Sequence, residues 1–488
     1  MGQFSQGIGD GKMRKHRMVI TLCIIVNVFA FTMRISQVNI KASAPTFTQS
    51  ETYQAFLPVA IRQELQGYFV SPNGSDSNPG TFLQPWKTIG KAARTVKSGD
   101  TVFIRGGIYN ESVRFNISGT ALDPIKIMAY PDETPIIEGY NQLPLSYTGL
   151  VSVFGDWVQV SGLEVRNSKY TGFGLYGKHD TAYNVFVHHS QKSGINISGD
   201  YGVVESSKIW RNSIQNEYGQ SSSWSSGLVA GNDTTDGLTE YAIMRKNVIW
   251  ENWGQGLSTD ESNQTIMEDN ISYDNFVTNI YISDATHVLC QRNFVYTDPS
   301  SYVFPYGSHV GIMMGDERYT PPSADITVIN NISFGNLGNF WWWQGVQGGG
   351  MKNVLIANNT FVNGMGSKDE GQGGVIISSG THENVRFINN LVQQDGDLPV
   401  IATLNQPGVV YSHNLWSKPP SSAASGPGDV IQDPMLSRTG VPYEPDWFRL
   451  TGLSPAIDMA QLLPEIVDDY FGITRGSLPD MGAIEYFP

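Results

Sequence analysis

MRKNVIWEN (244–252), MEDNISYDN (267–275) and CQRNFVYTD (290–298) align with one another in steps of 23 residues. Asn247, Asn270 and Asn293 form one column of this alignment, and Asn252, Asn275 and Asp298 form a second. The first column continues at Asn331, Asn359, Asn390 and Asn414, with insertions of variable length between repeats. Three residues before each Asn stand Met244, Met267, Cys290, Val328, Ile356, Phe387 and Tyr411; one residue after stand Val248, Ile271, Phe294, Ile332, Leu391 and Leu415. Both sets are apolar and are expected to face inward. Short alternating strands punctuated by Asn and Gly point to a parallel β solenoid rather than a helical one. Asn suits the left-handed backbone of a tight turn, and its amides can bond up and down a stacked column.

A further strand follows each repeat: GINISG (194–199), GLVAGN (227–232), GLSTDE (256–261), NIYISD (279–284), GIMMGD (311–316), NFWWWQ (339–344) and GVIISS (374–379). Relative to its first residue, the next and third-next point inward, as with Ile280 and Ile282. The intervening ones point outward. Each rung therefore has three strands, and the insertions 213–226, 297–310 and 363–373 fall just before this strand, flanking one face. The expected fold is all-β, a right-handed parallel β-helix over 67–416. Apolar residues at helical spacing over 85–96 predict a helix that closes its first rung. An irregular Ser/Pro/Gly-rich crossing, 417–445, leads to a carboxy-terminal segment, 446–488.

The 488 residues contain 52 glycines and 16% charged residues, against about 7% glycine and about 25% charge in average proteins. That balance argues against disorder and helical bundles. Net charge is −14, and it excludes nucleic-acid backbones and anionic membrane surfaces as partners. Lys12, Arg14, Lys15 and Arg17 precede a 16-residue apolar run from Met18 to Met33, short of the roughly 20 residues a membrane span needs. Residues 1–44 thus read as a signal peptide, or an anchor if uncleaved, and 45–66 as a linker. The body is expected to be secreted or held at the cell surface, with a membrane entering only through that uncleaved segment. Two cysteines, Cys23 and Cys290, provide neither a disulfide framework nor a metal site.

The stretch YFVSPNGSDSNPGTFLQPWKTIGKAARTVKSGDTVFIRGGIYNE (68–111), with LSPAID (453–458) and PDMGAIEY (479–486), resembles the secreted right-handed β-helix proteins of the pectate-lyase-like superfamily. The resemblance covers about residues 67–488 and implies the fold. It also implies that the strand after the long loops lines a substrate groove. Calcium-dependent lyases of polysaccharide lyase family 9 look similar around the Asn turns, but they carry aspartates beside the glycine of this strand. The matching stretch here, Asn252 to Ser258, has no carboxylate, so that metal site is not carried over.

The sixth positions of the aligned strands include Asn232, Glu261, Asp284, Asp316 and Gln344. With rungs about 4.8 Å apart, Glu261, Asp284 and Asp316 are expected to stack, with Asp233 and Asp260 close by. Stacked carboxylates repel, so they need a cation, raised pKa values or a neighbouring base. Calcium is the cation that could bridge them to an acidic polysaccharide; alternatively, the acids cap turns. For hydrolysis, two carboxyls one rung apart would suit a retaining geometry near 5 Å, and two rungs an inverting one of about 6.5–9.5 Å. For elimination, Arg318 and His309 are the candidates for base or charge stabiliser. Trp341 and Trp343 are expected to point outward with Tyr281 as sugar-stacking faces, and Trp342 inward. Ser258 and Asn196 complete the outward substrate-binding positions. The expected function is cleavage of glycosidic bonds in a polysaccharide, acidic ones included, by lyase or hydrolase chemistry. The alternative is a non-catalytic carbohydrate binder or adhesin.

Overall fold

The computed structural model describes residues 65–221, 224–231, 237–318, 322–366, 373–403 and 406–488. The amino-terminal expectations for residues 1–64, and those for Asn232 and Asp233, lie outside these. Three parallel sheets of 13, 12 and 13 strands run the length of the body. Each complete rung contributes one strand to each sheet, as the repeat requires, the end rungs lack a groove strand, and the coil is a parallel β-helix.

The groove sheet keeps the aligned register throughout: Ile195, Leu228, Leu257, Ile280, Ile312, Phe340 and Val375 are successive partners. All seven are buried. The first Asn column forms a continuous buried ladder. From Asn247 to Asn414 each backbone N–H and side-chain amide donates to the next Asn Oδ1 at 2.9–3.2 Å. Asp429 accepts from the N–H of Asn414 at 2.9 Å and ends it. The left-handed residue of each turn is not the ladder Asn but the one before it, among them Lys246, Asp269, Arg292 and Asn330. Asn is required at the column for its buried amide, not for its backbone.

The second column departs from the alignment. Asn212, Asn252 and Asn275 are linked in the same way, but Asn275 then donates to Asn279, and Asn279 to Asn336. Asp298 leaves the column, its N–H donating to Asp274 at 2.7 Å. The glycine that opens most groove strands exists to make room for this ladder: a Cβ at Gly227 would lie 2.6 Å from the Asn252 amide. Where Asn279 replaces the glycine, its own amide becomes a link.

The inward and outward sides after the ladder Asn also differ from the expectation. Residues one after the ladder Asn face outward, and the inward residue is the next one, such as Ile249 or Val295. Phe294, Ile332, Leu391 and Leu415 are nevertheless buried because the carboxy-terminal segment, through Phe448, Leu450, Met481 and Ile484, covers this outer face. An apolar residue on either side of the strand hides which side is inside. Helix Ile89–Ala93 closes the first rung, its Thr88 cap accepting from the N–H of Lys91. Strand Val430–Ile431 extends the third sheet into the segment expected to be irregular.

Candidate active site

Strands Leu257–Asn263 and Thr278–Thr286 each continue through a left-handed residue, Glu261 with φ 54° and Asp284 with φ 47°. Pairing resumes beyond them, with Ser262 opposite Ala285. The kink places Glu261 and Asp284 at equivalent points of adjacent rungs. Arg318 closes over both: its Nη1 pairs with Asp260 and lies 3.6 Å from Glu261 and 3.8 Å from Asp284. Asp284 is fully buried and accepts from the backbone N–H groups of Glu317 at 3.1 Å and Arg318 at 2.8 Å, and from the Ser283 hydroxyl at 2.8 Å. Burial pushes its pKa up against these bonds and against the guanidinium. The ion pair with Asp260 holds Arg318 charged.

Asp316 does not join them. Its Oδ1 accepts from Ser323 N–H at 2.9 Å and its Oδ2 from Gly350 N–H at 3.0 Å, so it fastens the chain that leaves the strand. The stack is thus a pair plus Asp260, and its neutralising charge is a guanidinium. The carboxylates do not fit the calcium expected of them. Asp316 spends both oxygens on main-chain amides and Asp284 spends its own on two main-chain amides and the Ser283 hydroxyl, Arg318 occupies the space where Asp260, Glu261 and Asp284 meet, and among the described residues no three such groups are placed to hold a metal ion.

His309 does not face the acidic group either. It is buried, with Nδ1 2.9 Å from the Asn275 carbonyl and Nε2 3.0 Å from that of Phe304, and it pins the loop 297–309 to the turn beneath. Burial lowers its pKa. Trp341 points outward as expected but is only 6% exposed, packed with Val310 and Ile376 under neighbouring turns. Trp342 is core, and Trp343 is 38% exposed.

Beside the acidic group lies a cleft of about 530 Å³. Asn196, Val229, Ser258 and Tyr281 lie along its floor on successive rungs, with Asp260, Glu317 and Trp343 on one flank and Trp224 and Ser226 among the lining residues. It continues past Trp343 and Trp224 into a space of about 400 Å³ over Met313 and Trp341. Trp224 is 51% exposed. Ser258 shares a 2.6 Å hydrogen bond with Ser226, which also donates to Gln255 at 2.9 Å. The Asn196 Oδ1 is buried without a hydrogen-bond partner. Tyr281 is nearly buried, and its hydroxyl donates to Glu317 at 2.7 Å; burial first, and then the Glu317 charge, keep it protonated. Glu317 was absent from the aligned columns because it lies one residue past the strand end. Trp224 carried a signal, an aromatic inside the flanking insertion 213–226.

This geometry can be set beside known proteins. A family model described as "Pel9A-like, right handed beta helix region" matches residues 68–202, and a second, "Right handed beta helix region", matches 148–298. The chain is therefore a right-handed parallel β-helix protein. Pectate lyase L of Dickeya chrysanthemi is 24% identical over 446 residues, covering 86% of this chain and 90% of that protein. Pectate lyase L of Paenibacillus polymyxa is 26% identical over 66% of this chain and 67% of that protein. Within that class, the chain is similar to these pectate lyases over most of its length. A solved structure of XylC with xylose has the same fold, with a TM-score of 0.60 at 12% identity over 86% of this chain and 98% of that one.

Proposed function

We propose that this protein is an enzyme that cleaves the glycosidic bonds of a polysaccharide laid along the groove sheet, by elimination. The observation that carries the reading is the cleft in which Glu317 and Asp260 meet the exposed indoles of Trp224 and Trp343. The pectate lyase relatives support elimination. In that chemistry a base takes the proton α to a uronate carboxylate, the C–O bond to the leaving sugar breaks with its electron pair going to the oxygen, which takes a proton from water, and an unsaturated end remains. Glu317 is the base: its exposed carboxylate is oriented by the Tyr281 hydroxyl. Arg318, fixed by Asp260, Glu261 and Asp284, provides the positive charge for the uronate. Trp343 and Trp224 stack against sugar faces above a polar floor of Asn196 and Ser258. The basic and apolar amino terminus, Lys12 to Met33, supports export to where such a polymer is found.

Hydrolysis is the second reading, favoured by two carboxylates, Asp260 and Glu317, that line one cleft. A panel of acidic and neutral polysaccharides, followed by ultraviolet absorbance of unsaturated ends and by reducing-end release, separates the readings. Absorbance with reducing ends is expected, lost in Glu317→Gln and insensitive to chelator. Reducing ends without absorbance would make it a hydrolase. Binding without product would make it a carbohydrate binder, and loss on chelation would overturn the guanidinium as sole countercharge.

A further inference from the structure

The groove sheet begins well before the cleft. Its first strand, Val113–Phe115, presents Arg114 outward, followed on successive rungs by Ser152, Gly174 and Asn196. At about 4.8 Å per rung, Arg114 stands roughly 14 Å from Asn196, at the near end of the cleft. It is held in place from two sides. The guanidinium lies 3.9 Å from the centre of the Phe154 ring, and Phe154 stacks on Tyr176 at 4.7 Å. Its Nε donates to Asn116 Oδ1 at 2.9 Å. Tyr176 is itself located by Gly174, where a Cβ would come within 2.3 Å of the ring.

Arg114 is exposed, and among the ion pairs of the described residues it has no carboxylate partner, whereas Arg105, Arg166, Arg211 and Arg318 each have one. In a chain of net charge −14 that is a notable arrangement. The turns leading into the adjacent strands add Tyr147, 71% exposed and 5.0 Å from Tyr170, over whose ring Lys169 is positioned at 5.3 Å. These turns lie on the same side of the sheet as the loops that flank the cleft.

We propose that this end of the groove is a distal subsite for an anionic sugar, in which Arg114 pairs with the carboxylate of a uronate residue several sugars from the bond that is cut. The proposal rests on the reading of the groove as a track for a uronate polymer and adds a second place, away from the bond that is cut, where the charge of that polymer is read. Stacking on Phe154 fixes the guanidinium plane before ligand arrives, so little rotamer freedom is lost when a carboxylate docks on its free edge. A polymer long enough to run from the cleft to Arg114 gains the contact; a trisaccharide seated in the cleft does not.

The test compares wild type with Arg114→Gln in two assays. In native gels cast with polygalacturonate, alginate or neutral xylan, wild type is expected to be retarded by an anionic polymer. Arg114→Gln should be retarded with about three- to tenfold weaker apparent affinity, a loss that shrinks as salt rises, and its melting temperature should be unchanged. In turnover assays the variant should raise KM for the polymer by a similar factor, leaving kcat and the trisaccharide KM as they were. Retardation lost in the variant without product from either protein would sink the cleavage reading and keep the subsite. Product formation with identical retardation and KM in both proteins would sink the subsite and keep the cleavage reading. Equal losses on polymer and trisaccharide, or no retardation of wild type by any anionic polymer, would also overturn the subsite.

Discussion

Of the aligned polar columns that run up this β-helix, the first Asn column behaves as alignment alone implies and the acidic column does not. In the inner ladder every Asn from Asn247 to Asn414 makes the same bonds to the next, because an amide both donates and accepts and a column of identical groups satisfies itself. In the outer column Glu261, Asp284 and Asp316 also occupy matching positions, yet carboxylates only accept and repel one another. Each must find its own neutraliser. Glu261 and Asp284 share Arg318, and Asp316 turns away to two backbone N–H groups. Register fixes where a Cα lies; the chemistry of the side chain decides whether a column is an interaction.

The largest effect should come from breaking the ladder. Asn293→Leu removes the acceptor for Asn270 and the donor to Met267 and Asn331, all at buried sites. Orphaned buried groups cost about 1–3 kcal/mol each, so a loss of roughly 3–5 kcal/mol in denaturant unfolding is expected. A loss under about 1 kcal/mol would mean that the ladder follows from the coil and contributes little to holding it.

The inner half of this contrast was legible in the sequence and the outer half only partly. The 23-residue step, the groove register and the inward Trp342 follow from periodicity, which packing enforces. Parity after the ladder Asn is not legible, because the carboxy-terminal segment makes the outer face apolar too. Asp316 and His309 were misplaced for a different reason. Their partners, Gly350 and the carbonyls of Asn275 and Phe304, come from turns whose path no alignment column records. Glu317 escaped notice by standing one residue beyond the strand.

The outer column can be sharpened by comparing two like substitutions. Asp284→Asn removes the charge that faces Arg318 and the oxygen that accepts from the Ser283 hydroxyl, while the remaining carbonyl oxygen still accepts from the backbone N–H groups of Glu317 and Arg318. Cleavage should fall about tenfold or more, with a modest fall in melting temperature. Asp316→Asn keeps an acceptor for one of its two amides and touches neither Arg318 nor the cleft, so turnover per folded molecule should hold. Equal losses of turnover in both would restore Asp316 to the acidic group.

A carboxylate without a cation offers a third case, with a smaller effect. Asp180 is fully buried, accepts from Val158 N–H through one oxygen and leaves the other unpartnered; burial raises its pKa to about 8. Its neutraliser is a proton. The folded state keeps that proton up to about pH 8 while the unfolded chain releases it near its ordinary value of 3.8. The unfolded state therefore binds fewer protons across this window, and the Asp180 contribution to stability falls as pH rises through it. Asp180→Asn should flatten that fall, so that its melting temperature relative to wild type climbs between pH 5 and pH 8. A constant difference across that range would show that the site is not proton-neutralised.

The smallest expected change in stability is at Trp343, and it tests whether the outer face is a surface for ligand at all. Trp341 cannot serve, since Val310 and Ile376 cover it and its loss would act through packing. Trp343 lies two residues on along the same strand, 38% exposed, and its ring borders both the cleft and the space beyond it. Trp343→Ala should shift unfolding by no more than about 0.5 kcal/mol, the usual range for a surface site. An indole that stacks on a sugar contributes through its free face, so oligosaccharide affinity should fall by roughly three- to tenfold. Melting curves and binding titrations on one variant read both quantities. A large loss of stability would place Trp343 with the core, as its neighbour Trp342 is placed; unchanged affinity would leave the cleft with Trp224 as its aromatic wall and move the sugar path to that side.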